Sequence, residues 1–336
     1  MMKRTLFLSL LLLLLVGVIV FLSKRQEAKT RAHEHYEGNF AVEHAEVISK
    51  VVLKHRAGPT YTLKRERGSW MINDKYPARM SSVDPLLRAL EGVRIRYIPG
   101  DAAVKNVLEN IEGTYIHVDV FDRAGQKLKS YRVGGVTPDE RGTYVVMDGS
   151  SQPFVVHIPA WDGALRTRFA LSLEDWRDRK FMTIDPAAIS AVAVEYPRQK
   201  SQSFRLKRAG SAYQLSPLYP DLRKYPTTYR NGTAEVFLKA LSEAACEGFE
   251  NHYALKDSIR SLTPFCQMEI SLEDNSTVEL KIWPKGVPVY TEFSPPVHRL
   301  FVERIPGDFV LAQYEVIKGI LRGYDYFTGT ETELIF

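Results

Sequence analysis

The chain opens on an unbroken apolar stretch and then settles into short alternating runs. From Leu6 to Leu22 every residue except Ser9 and Gly17 is apolar. With Thr5 and Ser23 the segment is roughly 19 residues, nearly 30 Å as a helix, which just spans a bilayer. From Ile48 onward apolar and polar residues alternate in runs broken by Gly or Pro, which predicts strands over roughly 47–54, 60–66 and 69–73. Val83, Leu86, Leu87, Leu90 and Val93 recur at helical spacing. Ser81 or Ser82 suits the N-cap of that helix, with Pro85 tolerated in its first turn. A hairpin follows, Tyr115–Phe121 turning at Asp122–Gln126 into Lys127–Val133. A second pair, Thr143–Met147 and Phe154–Ile158, turns near Asp148-Gly149.

The same grammar recurs in the second half. Ile48–Leu53 parallels Ile189–Val194, Leu63-Lys64-Arg65 parallels Leu206-Lys207-Arg208, and Leu87–Leu90 parallels Leu238–Leu241. Ile116, Val118 and Val120 parallel Met268, Ile270 and Leu272, and Phe154 parallels Phe309. The offset rises in order from 141 to 155, as a duplication with small loop insertions requires. The expected fold is therefore α+β: two tandem copies of a mostly antiparallel sheet module with helices on one face, after an N-terminal transmembrane helix. The boundaries read as an anchor over 1–23, a polar stalk over 24–44, copy one over 45–165, a bridging helix over 166–185 with Trp176 buried at the junction, and copy two over 186–336.

Charge places the chain rather than naming its chemistry. The net charge is +5, and Lys3, Arg4, Lys24, Arg25, Lys29 and Arg31 flank the apolar stretch. The surplus is local to the anchor and suits anionic headgroups; the rest is near neutral, which argues against nucleic acid as a partner. An uncleaved anchor fits better than a cleaved signal peptide, because the apolar run is long and no small-x-small site follows. A strict count of Lys24, Arg25, Lys29 and Arg31 would keep the side after the span in the cytoplasm; against this, a short basic N-terminus favours an inside start, and long C-terminal domains translocate with little regard to charge. The expected location is the bacterial inner membrane, single-pass, with the body facing the periplasm.

Several segments together resemble a known family. They are the anchor, Ile48–Leu53, Leu63-Lys64-Arg65, Ser69-Trp70-Met71-Ile72, Tyr76-Pro77-Ala78, Tyr131-Arg132-Val133-Gly134-Gly135, Tyr144-Val145-Val146, Leu173–Lys180 and Ile184-Asp185. The set is similar to a family of bacterial membrane-anchored envelope proteins catalogued as a domain of unknown function, best over roughly residues 45–200. Some members are encoded beside ABC transporter components of the gliding-motility type. Arg79-Met80 stands where relatives tend to carry a polar pair such as Asp-Gln. The resemblance implies a fold and an address, and no catalytic residue.

Candidate chemistry is sparse. His33, His35 and His44 lie in the polar stalk, where nothing holds a metal geometry, so neither metal nor cofactor is expected. There is no nucleophile elbow, P-loop, zincin or dinucleotide motif, and Gly134-Gly135 reads as a turn. Cys246 and Cys266 would close a loop of about 20 residues if bridged, worth about 3 kcal/mol; two buried thiols explain them equally well. Tyr213, Tyr219, Tyr225 and Tyr229 stand in a Pro-rich stretch that is longer than its counterpart in the first half, and they are candidates for a contact loop. The expectation is a non-enzymatic envelope accessory or scaffold associated with an ABC-type transporter. The alternative is a periplasmic binding module for a glycan or peptide, with its site at the cleft between the two copies.

Overall fold

The computed structural model describes residues 38–159, 161, 163–210, 212–222, 230–286, 297–305, 307–329 and 334–336. The chain divides into two compact units at Asp178/Arg179. The expected anchor and most of the stalk lie outside the described residues. Among the described residues, no helix is long and apolar enough to cross a membrane.

The first unit runs β1 (Ile48–His55), β2 (Thr60–Glu66), β3 (Ser69–Ile72), β4 (Tyr76–Pro77), α1 (Met80–Gly92), β5 (Arg94–Tyr97), α2 (Asp101–Thr114), β6 (Ile116–Asp122), β7 (Lys127–Val136), β8 (Thr143–Met147), β9 (Pro153–His157) and the single turn α3 (Leu173–Trp176). Its strands form one antiparallel sheet in the order β4-β3-β2-β1-β6-β7-β8-β9-β5. The second unit runs β10 (Ile189–Glu195), β11 (Phe204–Ala209), β12 (Ala212–Pro217), α4 (Thr233–Glu243), β13 (Gly248–Phe249), α5 (Lys256–Arg260), β14 (Cys266–Leu272), β15 (Thr277–Pro284), β16 (Arg299–Ile305), β17 (Phe309–Gln313), α6 (Tyr314–Ile317) and α7 (Tyr324–Thr328). Its order is β12-β11-β10-β14-β15-β16-β17-β13. The chain is thus α+β with two large antiparallel sheets. Apart from the extra edge strand β4, the two orders correspond strand for strand. Both first strands also break register at the same place, between Ile48 and Lys50 and between Ile189 and Ala191.

Strand pairing sets the correspondence more finely than the apolar pattern does. Val51 faces Val120, and its counterpart Val192 faces Ile270. Val120 therefore matches Ile270 rather than Leu272, a slip of two residues from the expected alignment. Such a slip leaves every side chain on its own face, so alternation cannot detect it. Phe154 pairs with Val145, and Val310 pairs with Val302. Phe154 therefore matches Val310, not Phe309, which lies on the opposite face.

The expected single helical layer is corrected: the first sheet carries a helix on each face, and the second sheet also has buried apolar groups on both faces. α1 lays Val83, Leu86, Ala89 and Leu90 into the main core of the first unit, beside Val51, Leu53, Val118 and Val133. On the other face α2 packs Val107 and Ile111 against Val146. In the second unit α4 places Phe237, Leu238 and Leu241 in the main core, and α5 approaches a separate group of Trp283, Phe301, Phe309 and Leu311. The cause is local. Tyr144-Val145-Val146 is apolar on consecutive positions, so it presents apolar surface on both faces, and each needs cover.

Three other expectations change. α1 starts at Met80, with Arg79 as an N-cap that makes no side-chain bond; Pro85 falls in the second turn, and the Ser82 hydroxyl instead donates to the Asp175 carbonyl at 2.8 Å. Residues 38–44, expected to belong to a stalk, join the first unit, because Phe40 and Val42 are buried in its core. Phe40 meets Tyr131 and Phe154 edge-on, with centroids 5.6 and 5.5 Å apart. The 166–185 segment is no continuous helix. It holds a 3-10 turn, Leu165–Arg168, and one α-helical turn, Leu173–Trp176, opened by a Ser172/Asp175 capping box, and Trp176 is buried in the first unit. From Arg179 the chain belongs to the second unit, where Phe181 donates its N–H to Ala244.

Candidate functional site

The two units differ at a pair of equivalent positions that decides what covers each sheet. Val133 pairs with Ile116, and Ile282 pairs with Cys266, so Gly134-Gly135 of β7 matches Trp283-Pro284 of β15. Both glycines lie inside the strand, not in a turn. Their reason is close approach. A Cβ on Gly134 would sit 2.6 Å from Ile111 Cγ1 and 3.0 Å from Ile111 Cα, and one on Gly135 would sit 2.6 Å from Asn110 Oδ1. The bare backbone lets α2 press onto the sheet. The helix is then tied down at several points. The Gly135 N–H donates to Asn110 Oδ1 at 3.0 Å. Arg132 pairs with Glu112. Arg166 donates to the carbonyls of Val133 (3.0 Å), Gly134 (2.8 Å) and Thr114 (2.6 Å).

In the second unit, Trp283 occupies this place and no such helix can close down. The 14 residues of α2 are replaced by the five of α5. The five-residue helix is held by Arg260, which pairs with Glu303. A cavity of about 490 Å³ remains, walled by the rings of Tyr253, Phe265, Trp283, Phe301 and Phe336. Tyr253 lies 5.1 Å from Phe301, Phe336 stacks on Phe265 at 4.3 Å, and Phe301 stacks on Phe309 at 5.3 Å. The indole N–H of Trp283 donates to the Leu262 carbonyl at 3.0 Å, which fixes the ring. Leu255 and Leu262 stand at the rim, 56% and 47% exposed. Arg198 and Lys285 supply the charged side chains of the lining. The size and apolar character are those of a ligand pocket.

Of the candidate contact-loop tyrosines, Tyr213 and Tyr219 lie among the described residues. Tyr213 sits on β12 under the Arg208 guanidinium, 5.2 Å from its ring. The Tyr219 hydroxyl donates to Glu195 Oε1 at 2.5 Å, at the edge of a smaller polar cavity of about 310 Å³ lined in part by Glu195 and Leu218. Tyr225 and Tyr229 lie outside the described residues. Cys246 and Cys266 are both buried thiols. Burial in apolar surroundings pushes the Cys266 thiol up, against a hydrogen bond from Tyr196. Of the stalk histidines, His44 is exposed and His33 and His35 lie outside the described residues. Among the described residues, no group of three or more His, Cys, Asp or Glu is arranged to hold a metal ion.

One polar constellation escaped the sequence reading. On the outer face of β6 and β7, the Ser130 hydroxyl donates to Asp119 at 2.8 Å, lies 3.2 Å from His117 Nε2 and 3.2 Å from Asp148. The alternation of His117 and Asp119 opposite Ser130 was the available signal. It is not set up for nucleophilic catalysis. The hydroxyl proton goes to Asp119, and both carboxylates approach Nε2, whereas a serine nucleophile needs that nitrogen as base and the carboxylate behind Nδ1. Burial would raise the Asp119 carboxyl, but Lys127 at 2.8 Å, Ser130, His117 and Lys54 at 3.3 Å outweigh it and hold it at about 2. The arrangement is a buried carboxylate neutralised by its neighbours.

The geometry defines a protein of two antiparallel sheet units, the first closed by a helix and the second opened into an aromatic cavity. Residues 108–258 match the family model described as a domain of unknown function, DUF4340. The resemblance to a family known as a domain of unknown function is thereby shown, although the matched span differs from the expected 45–200. It begins within α2 and ends within α5, taking in the end of the first unit and the start of the second. No curated protein and no solved structure matches the chain.

Proposed function

We propose that this chain is a non-enzymatic accessory protein of the bacterial envelope, anchored in the inner membrane through Leu6–Leu22 with its body in the periplasm. It arose by tandem duplication of one sheet module. The first copy serves as a closed scaffold and the second carries the binding face. The observation that carries this reading is the exchange of Gly134-Gly135 for Trp283-Pro284, which trades a covering helix for an aromatic cavity. The resemblance to proteins encoded beside gliding-motility-type ABC transporter components makes such a transporter the partner of choice. Affinity purification of the full-length chain from gently solubilised membranes, followed by mass spectrometry, tests it. Transporter subunits in near-equal amounts are expected; their absence would count against the accessory role.

The cavity also favours a second reading, a periplasmic binding module for a glycan or peptide. The sequence suggested the cleft between the copies as its site; the feature that supports it lies within the second copy. Thermal stabilisation of the full-length chain by some member of a panel of envelope glycans and peptides would support it, and uniformly flat shifts would remove it.

A further inference from the structure

We infer that the cavity of the second unit takes an amphiphilic anion: an unbranched or aryl apolar body carrying one carboxylate or phosphate head. The inference rests on reading the second copy as the binding copy, and it names the ligand class of that site. The walls decide the body. They are the rings of Tyr253, Phe265, Trp283 and Phe301 with the aliphatic side chains of Ile259 and Leu262. The indole N–H of Trp283 is already engaged by the Leu262 carbonyl. The neutral polar side-chain groups left in the lining are the hydroxyls of Tyr253 and Thr263, too few for the several hydroxyls of a sugar ring, most of which would go unpaired. An apolar body meets no such loss, and about 490 Å³ accommodates a medium-length chain or a fused ring.

The mouth decides the head. Arg198 and Lys285 are both exposed there, and they are the charged side chains of the lining. Both donate and neither accepts, so they suit a carboxylate or a phosphate and repel a cationic head; Arg198 is the main determinant, because the charge of Lys285 also serves the Glu247 carboxylate. The ammonium of Lys285 lies 5.5 Å from the Phe301 ring, at the border between the apolar wall and the rim. A head held there leaves its tail pointing at the aromatic wall. The first unit offers no counterpart, since Ile111 fills the space over Gly134.

The test is calorimetric titration of the full-length chain in phosphatidylcholine nanodiscs, referenced to empty discs. The probes are octanoate, decanoate and dodecanoate below their aggregation limits, decyl phosphate, and decyltrimethylammonium. Saturable one-site binding is expected, tightening about fourfold per methylene until the cavity is full. The ammonium probe should bind at least tenfold more weakly than decanoate. Decanoate tighter than decyl phosphate would point to a free fatty acid, and the reverse to a lipid phosphate. R198E/K285E, at two exposed positions, should weaken decanoate at least tenfold with an unchanged circular dichroism spectrum. Ile259→Trp, which fills the cavity, should abolish binding. No saturable binding, affinity independent of chain length, or indifference to the charge reversal would overturn the inference. In that event a co-purified partner lost on Ile259→Trp would leave the binding-copy reading standing, and a partner retained would remove that too.

Discussion

The exchange at β7 and β15 predicts a stability change that is unusual in sign for a glycine. Gly134 does not sit in the left-handed region, so alanine meets no backbone barrier there. Replacing such a glycine normally stabilises by about 0.4–1 kcal/mol through the unfolded chain. Here the new methyl would lie 2.6 Å from Ile111 Cγ1 and 3.0 Å from its Cα. Carbon atoms rest at about 3.5–4.0 Å, so α2 must lift by roughly 1 Å. Ile111 is fully buried and cannot swing away. Overpacking of this kind costs about 1–3 kcal/mol, leaving Gly134→Ala destabilising by about 1–2 kcal/mol net. Gly113→Ala is the control on the same helix, where nothing lies within 4 Å of the added methyl. It should be neutral or stabilise by up to about 1 kcal/mol. Equilibrium urea unfolding gives both changes, and hydrogen exchange of the α2 amides reports the first unit separately from the second. Gly134→Ala as stable as the wild type, with α2 protection unchanged, would refute the argument that these glycines exist to admit the helix.

Other outcomes follow from the same structure. Asp119 is held at about 2 against an ordinary 3.8, so its contribution is complete above that ordinary value and fades as pH falls toward 2. Because both lysines are half exposed, Asp119→Asn should cost only about 1–2 kcal/mol at pH 7, with the gap to wild type narrowing in unfolding experiments run from pH 5 to pH 2. Phe40→Ala removes a ring that is 2% exposed and should cost about 3–5 kcal/mol in urea unfolding, a loss that a solvated stalk would not give. Cys246 and Cys266 should resist a thiol reagent in the native chain and both react after denaturation; a denatured, unreduced chain with no reactive thiol would mean they are bridged.

Much of the sheet was legible because half-buried strands declare themselves by alternation, as Ile116-His117-Val118-Asp119-Val120 and Tyr61-Thr62-Leu63-Lys64 do. The helix α2 was harder. Its stripe of Val104, Val107, Leu108 and Ile111 is short, and only Val107 and Ile111 are buried. Its clearest sign stood elsewhere, in two glycines within a strand, where a bulge or a close backbone approach is the usual meaning. The site stayed hidden for a related reason. The two-residue slip in the repeat alignment sets Gly134 opposite Gly286, and the exchange for Trp283 then vanishes from view. Tyr253, Leu255 and Leu262 come from the stretch around α5, which has no strong period of its own. Their convergence depends on β14–β16 pairing across long separations, which no local pattern encodes.

If the second unit presents the binding face and the first is closed, a ligand or partner should reach only the second. A photo-crosslinking residue placed at Leu262, on the rim of the cavity, and in a second strain at Lys105, on α2, tests it in intact cells. A saturable adduct, lipid or protein, is expected from position 262 and lost on Ile259→Trp, with none from position 105. Equal adducts from both positions, or an adduct at 262 that survives filling the cavity, would contradict it.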